Sequence, residues 1–431
     1  MDATALLQST GALLPHMTVL VTGLVILTLD LFLTPRSRYL NEIVGLAGLL
    51  LALVSIVCTA GEPRSVFMAM AVVDKLGAFF NATFVLIAAL TILLSASYIR
   101  RENVSAGEYY ALLLFATTGF MFVAAAADLV MIFLAIETLS IATYILAGLL
   151  REDQRSQEAA FKYFMLGALS SAFFLYGIAT IYGALGSTNL GLLSQALGQG
   201  EATPLLLMGM ALLIVGLGFK VAVVPFHMWA PDVYDGAPTA VTAFMTAGPK
   251  AAAFAAFLRV FFQGFGAPEV AQQWVPIFAV LAALTMILGN FVAIAQQSIK
   301  RMLAYSSIAH AGYAFVALVA HNNLGARGIL YYLVAYTLMS LGAFTVLTIV
   351  ARREEHRYAF DDYAGLGTTN PLLAAIMSLF MFALAGFPPT AGFAGKFYVF
   401  SAAVQAGHYV LVLIGVLTSV VSVVYYARVI M

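Results

Sequence analysis

Glu137, Lys220, Lys250, His310 and Lys396 each stand near the middle of a long apolar run. Amines, an acid and an imidazole are groups that take up and release protons, and these lie where the hydrocarbon of a bilayer belongs. A charge at that depth costs about 2.5–3.5 kcal/mol on insertion scales. One such residue is an accident that packing absorbs, whereas a spaced series points to a row of proton-binding sites inside a membrane protein. A desolvated lysine exchanges its proton near neutral pH more readily than one in water, and this is the chemistry that the positions of Lys220 and Lys250 suggest. Pro225, five residues after Lys220, and Pro249, just before Lys250, disrupt the helix beside each amine.

Every member of the series has a plainer reading. Glu137 and Lys220 form either a working acid–amine pair or a static ion pair that fixes helix packing. His310 is either a relay at physiological pH or a satisfied core histidine. Tyr305, Ser306 and Ser307 put hydroxyls for water beside it. Lys396 ends the series, and its alternative is a packing lysine with a carbonyl partner. Lys162 and the Asp74-Lys75 pair lie close to helix starts, where snorkelling explains them as well as function does. His227, Trp229, Asp232 and Asp235 come at or just past the end of the seventh apolar run. They read as an exit or a loop contact on the outer side, or more simply as a solvated loop.

The elements that hold these residues follow from composition. The chain has 431 residues, 63% hydrophobic and 9% charged, against about 25% charged in soluble domains. About 20 residues cross the hydrocarbon as a helix, and 129–150 is such a stretch. The period-two alternation of spanning strands is absent, so the fold class is an all-α polytopic membrane protein. Thirteen spans are expected, near 11–33, 41–60, 75–98, 108–127, 128–150, 159–185, 204–229, 239–263, 274–296, 301–320, 326–350, 372–402 and 407–431. The chain stops in or just after an apolar run without a polar tail, so a longer native protein with a fourteenth span is expected. Arg36/Arg38, Arg100/Arg101, Arg151/Arg155, Lys300/Arg301 and Arg352/Arg353/Arg357 follow alternate spans, whereas 186–203, 230–238 and 264–273 hold no Lys or Arg. By the positive-inside rule the basic loops face the cytoplasm and the N-terminus lies outside.

Two spans read as broken: GLGFKVAVVPFHMW in the seventh and ALAGFPPTAGFAGKF in the twelfth. Proline frees backbone carbonyls, which membrane depth tolerates only where protein or water satisfies them, and paired breaks in two halves point to a transport pathway. Gly218-Phe219 and Gly386-Phe387 lie 168 residues apart, Tyr163 and Tyr331 also 168, and Gly119 and Gly289 170. The shared offset suggests two five-helix repeats, spans 4–8 and 9–13, the odd count inverting the second copy. The domains expected are 1–105 with three spans, 106–265 with the first repeat and 266–431 with the second.

Composition also removes function classes. Zero net charge without a basic tail gives nothing to attract nucleic acid. The single cysteine, Cys58, forbids an internal disulfide and a cysteine-ligated metal or iron–sulfur centre in this chain. No glycine-rich nucleotide motif occurs, since Gly216-Leu-Gly218 lacks the third glycine. The Met1-Asp2 start is acidic, so no cleavable signal peptide is expected.

The segments 162–183 (KYFMLGALSSAFFLYGIATIYG), 216–259, 300–313 (KRMLAYSSIAHAGY) and 384–397 (LAGFPPTAGFAGKF) closely resemble the antiporter-like membrane subunits of respiratory complex I, the NADH-quinone oxidoreductase. The resemblance runs from about residue 70 to the end and is greatest to subunit N. Subunit M-type chains have an acid where Lys396 stands, and subunit L-type chains have a long C-terminal extension with a lateral helix. The resemblance implies two inverted repeats, Glu137 and Lys220 as the paired residues of the fifth and seventh helices, Lys250 on a central hydrophilic axis, and His310 leading to Lys396. It implies neighbouring hydrophobic subunits as partners and no cofactor in this chain. Flavin, iron–sulfur clusters and quinone would belong to partner subunits reached through a peripheral arm, and the setting would be a bacterial cytoplasmic membrane. The family has one more span than the thirteen counted here. The rival readings are a subunit of a multisubunit cation/proton antiporter or membrane-bound hydrogenase-type complex, and an intramembrane acid–base enzyme. The second needs its groups gathered in one pocket, whereas here they are spread over five helices.

Overall fold

The computed structural model describes residues 11–59, 61, 63–102, 104–198, 203–351 and 358–431. The Met1-Asp2 start and Arg352, Arg353 and Arg357 lie outside them. The protein is mostly helical, as apolar segments must be when lipid offers their backbone no hydrogen bonds. Among the described residues eleven helices are long and apolar enough to span a bilayer, and two apolar helices, Leu14–Asp30 and Pro371–Ala385, are shorter. Contacts divide the chain into two compact units, residues 1–217 with 251–271 and residues 218–250 with 272–431.

The first unit holds α1 (Leu14–Asp30), α2 (Tyr39–Thr59), the hairpin β1 (Arg64–Val66) and β2 (Ala71–Val73), α3 (Lys75–Arg101), α4 (Ala106–Ala125), α5 (Leu129–Ala147), α6 (Gln154–Leu185), α7 (Leu190–Leu197) and most of α8 (Pro204–Val221). The hairpin pairs Arg64 with Val73 and Val66 with Ala71. A π-helical turn, Leu258–Gly264, completes the unit. Helix α3 begins at Asp74, whose carboxylate accepts from the Gly77 amide at 2.7 Å. That carboxylate also takes both terminal nitrogens of Arg259, at 2.6 and 2.7 Å. Arg259 is 1% exposed. Its Nε and Nη2 donate to the Ala124 carbonyl, and Nη1 also reaches Gln263. All five N–H donors of the guanidinium are thereby engaged, so Asp74 is held in a buried clamp and is not a snorkelling side chain. Lys75 beside it is exposed. Helices α4 and α5 touch at Gly119, where a Cβ would stand 2.8 Å from the Leu139 amide nitrogen.

The second unit holds α9 (Trp229–Gly236), the first part of α10 (Thr239–Phe257), most of α11 (Pro268–Ile294), α12 (Ile299–Ala320), α13 (Asn323–Val350), α14 (Leu366–Thr369), α15 (Pro371–Ala385), α16 (Ala391–Gln405) and α17 (Tyr409–Ile430). The spanning window of α10 with its π turn is buried throughout and that of α12 is 94% buried, against 33% for α17. A helix enclosed on all sides can be apolar all round, and these two enclosed helices carry Lys250 and His310. Helices α11 and α12 meet at Gly289, where a Cβ would lie 2.7 Å from the Ala309 amide nitrogen.

Both expected breaks are present. Helix α8 stops at Val221, Ala222 takes the left-handed region at φ +59°, and helix resumes at Trp229. Helix α15 stops at Ala385, Gly386 has φ +87°, and helix resumes at Ala391. A side chain with a Cβ rarely adopts such a φ, so Ala222 occupies a position better suited to glycine. Each helix ends four residues before a cis proline, Pro225 or Pro389.

One expectation is corrected. The sequence reading sets Asp232 and Asp235 on the outer side, opposite Lys300 and Arg301. In the structure Arg301 pairs with Asp232 at 2.9 Å, Ser298 donates to Asp235 at 3.2 Å, and Lys300 donates to the Ala237 carbonyl at 2.6 Å. The two connections lie at the same end of the unit. Two crossings, α10 and α11, separate them, and an even number returns the chain to the face it left. The 230–238 segment has no Lys or Arg of its own, and its acids meet Arg301 and Ser298 of the neighbouring connection.

Candidate functional site

Helix α8 brings Lys220 to its last turn, where it is 3% exposed with its Nζ 5.6 Å from the Phe219 ring centroid. The carbonyls near the break find local donors. Ala222 N bonds Phe219 O at 3.1 Å, Val223 N bonds Gly218 O at 3.0 Å, and Trp229 Nε1 bonds Phe219 O at 2.9 Å. Val224 N is satisfied by Thr285 Oγ1 at 3.0 Å. Aromatic rings continue from there. Phe219 packs on Trp229 and Trp229 on Tyr234, with centroids 5.2 and 5.5 Å apart, and Lys250 Nζ lies 6.0 Å from the Tyr234 centroid.

Lys250 follows Pro249 within α10 and is 2% exposed. Its Nζ donates to the carbonyl of Ser307 at 2.5 Å and contacts the Ser307 hydroxyl. The next residue back on α12, Ser306, shares a hydrogen bond with the Tyr426 hydroxyl. Tyr426 also bonds His310 Nε2 at 3.1 Å, while His310 Nδ1 bonds the Tyr332 hydroxyl at 2.6 Å. Both imidazole nitrogens of His310 are therefore spoken for by phenols from α17 and α13. A neutral imidazole donates from one nitrogen and accepts at the other. A hydroxyl does both, so Ser306, Tyr426, His310 and Tyr332 form an unbroken file of groups that each give and take a hydrogen.

Tyr313 stands between His310 and Lys396. Its ring centroid is 5.7 Å from that of His310 and 4.7 Å from Lys396 Nζ. Its hydroxyl accepts from Asn290 Nδ2 at 3.0 Å, and Asn290 Oδ1 accepts from Tyr425 at 2.9 Å. Lys396 is 5% exposed. Its Nζ donates to Leu384 O at 3.2 Å, Ala385 O at 2.8 Å and Ser419 Oγ at 2.8 Å. Those two carbonyls are the helix acceptors that Pro388 and Pro389 leave without a donor, because proline has no N–H. The carbonyl partner expected of a packing lysine is present, and it exists because of the break. Beside Lys396 a cavity of about 740 Å³ runs between α16 and α17, past Phe400 and Ser419 to Gln405.

The second unit thus brings Lys220, Lys250, His310 and Lys396 into one file of neighbours. Glu137 belongs to the first unit, partly buried on α5, where it accepts from the Ser171 hydroxyl of α6. Lys162 sits near the start of α6, 38% exposed and paired with Glu158 one turn earlier at 2.7 Å, a surface pair. His227 lies partly buried in the link between α8 and α9, and Tyr305 partly buried on α12. Sequence reasoning missed Tyr332, Tyr426, Tyr313 and Asn290. The adjacent hydroxyls Tyr425-Tyr426 in an otherwise apolar span were the available signal.

A family profile described as "NADH:quinone oxidoreductase/Mrp antiporter, TM" matches residues 126–422, and the chain belongs to that family. It is 47% identical to NADH-quinone oxidoreductase subunit N of Trichlorobacter lovleyi, over 97% of this chain and 86% of that one. Its fold is similar to a chain of respiratory complex I from Thermus thermophilus with bound aureothin, with a TM-score of 0.83 and 38% identity over 96% of this chain and 88% of that one. It is also similar in fold alone to a chain of the membrane-bound sulfane sulfur reductase, an archaeal respiratory membrane complex. There the TM-score is 0.85 and the identity 23%, over 97% and 87% of the two chains. The 47% identity over nearly the whole chain places it among the subunit N proteins.

Proposed function

We propose that this chain is the subunit N of an NADH-quinone oxidoreductase and translocates protons through the membrane along Lys220, Lys250, His310 and Lys396. The chain is a membrane subunit of an oxidoreductase, and its redox cofactors, the flavin, iron–sulfur clusters and quinone, reside in other subunits. The observation that carries the reading is His310 held at both nitrogens by hydroxyls, between an amine on Ser307 and an amine on the carbonyls of a broken helix. Each group in that file binds a proton or passes one, and each is buried where a fixed charge is costly. At similar TM-scores the identity is 38% to the complex I chain and 23% to the reductase, which favours complex I over the related complexes.

The proposed cycle begins at Lys220, with Glu137 as the acid that sets its proton affinity. That role rests on the position of Glu137 in the fifth span and on the family likeness. The proton then passes by Lys250 and His310 to Lys396 and leaves on the outer side, driven by quinone reduction in partner subunits. Thirteen spans arranged as two inverted five-helix repeats fit this reading. Gly119 and Gly289 make the same close helix contact in spans four and nine, and in each break the helix ends four residues before a proline. The basic connections would face the cytoplasm and the N-terminus the outside. Lys220→Ala in membrane vesicles tests the proposal. Proton pumping and quinone reduction should fall together, and full coupled pumping would remove Lys220 from the path.

A further inference from the structure

Within the first unit lies a cavity of about 20 Å³ lined by His16, Asp74, Asn81, Ile56, Gly77 and Ala125. His16 is 2% exposed and Asn81 6% exposed. Among the described residues neither His16 Nδ1 nor Asn81 Oδ1 has a hydrogen-bond partner. The other ring nitrogen of His16, Nε2, bonds the Met121 carbonyl at 3.2 Å. A carbonyl only accepts, so Nε2 carries the hydrogen and Nδ1 of the neutral ring is an acceptor. Asn81 Oδ1 is an acceptor too, so in this orientation of the amide the two do not satisfy each other. A buried acceptor without a donor costs about 1–3 kcal/mol, and here the two residues that carry them line one small cavity.

We infer that this cavity binds a single ordered water molecule, which donates one hydrogen to His16 Nδ1 and the other to Asn81 Oδ1. Water is the smallest ligand with two donors, and about 10–15 Å³ of such space admits one. The neighbouring carboxylate of Asp74 does not call for a cation, because Arg259 already neutralises it in bidentate fashion. The water joins α1 to α3 beside the Arg259 clamp.

The test uses the intact purified complex. A map that resolves waters should show a peak about 2.7–3.2 Å from both acceptors. An empty cavity, or a peak that follows the Na⁺ concentration, overturns the proposal. Variants give a second reading through the temperature at which the complex dissociates on native gels. His16→Phe and Asn81→Leu should each lower it by leaving one acceptor orphaned. The double variant, which leaves neither, should lose clearly less than the two single losses together. Strictly additive losses overturn the bridge.

Discussion

Lys396→Met keeps the unbranched apolar stem of the side chain and removes the amine with its three hydrogen-bond donors. Leu384 and Ala385 close α15, and the residues that would donate to their carbonyls are Pro388 and Pro389. With methionine in place Leu384 O loses its lysine donor, while Ala385 O keeps Ser419 Oγ at 3.5 Å. At about 1–3 kcal/mol for each orphaned carbonyl, with the second partly rescued, the break loses about 2–4 kcal/mol. This is roughly a 30- to 1,000-fold shift of the break toward an open form. Two readouts separate packing from proton transfer. Hydrogen exchange of amides 382–394 should accelerate in the purified complex. In vesicles, proton uptake followed with a pH-sensitive dye and quinone reduction should fall together. Ser419→Ala, which removes one of the three acceptors, should change both far less. Wild-type pumping per electron in Lys396→Met would refute a proton-carrying role for this lysine, and unchanged exchange would refute the account of the break.

Tyr426→Phe removes the hydroxyl shared by Ser306 and His310 and should slow coupled pumping more than Tyr425→Phe, whose hydroxyl serves Asn290; equal rates in both would refute the file. Asp74→Asn leaves Arg259 as a buried charge without its counter-ion, a cost of about 3–5 kcal/mol, and should lower the yield of assembled complex, with Asp74→Asn/Arg259→Met recovering part of the loss. Asp232→Arg with Arg301→Asp should recover part of the stability that either single reversal loses, and strictly additive losses would contradict their placement at the same end of the unit. His310→Phe should abolish pumping while the complex assembles, checked by subunit content and dye response in one preparation.

Much of this architecture was legible in the sequence because lipid imposes its own rules. Eleven helices among the described residues are long and apolar enough to cross a bilayer, and both breaks fall where proline removes a donor. The buried amines stood out because charge is rare inside apolar runs. The tyrosines did not, because a phenol packs as readily as it relays and 20 of them are scattered through the chain. Only geometry separates Tyr426 and Tyr332, bonded to the imidazole, from Tyr176 or Tyr182, whose rings lie exposed. The Asp74–Arg259 clamp joins residues 185 positions apart, and no local pattern announces such a pairing. The misplaced 230–238 segment shows the limit of charge counting, since its acids are matched by cations that belong to another connection.

The contact at Gly289 restricts how this machine can move. With the backbones of α11 and α12 so close that a single added carbon would collide with Ala309 N, sliding one rod along the other would drive main chain into main chain. Whatever motion this pair of helices makes must therefore come from side chains turning about a fixed main-chain contact.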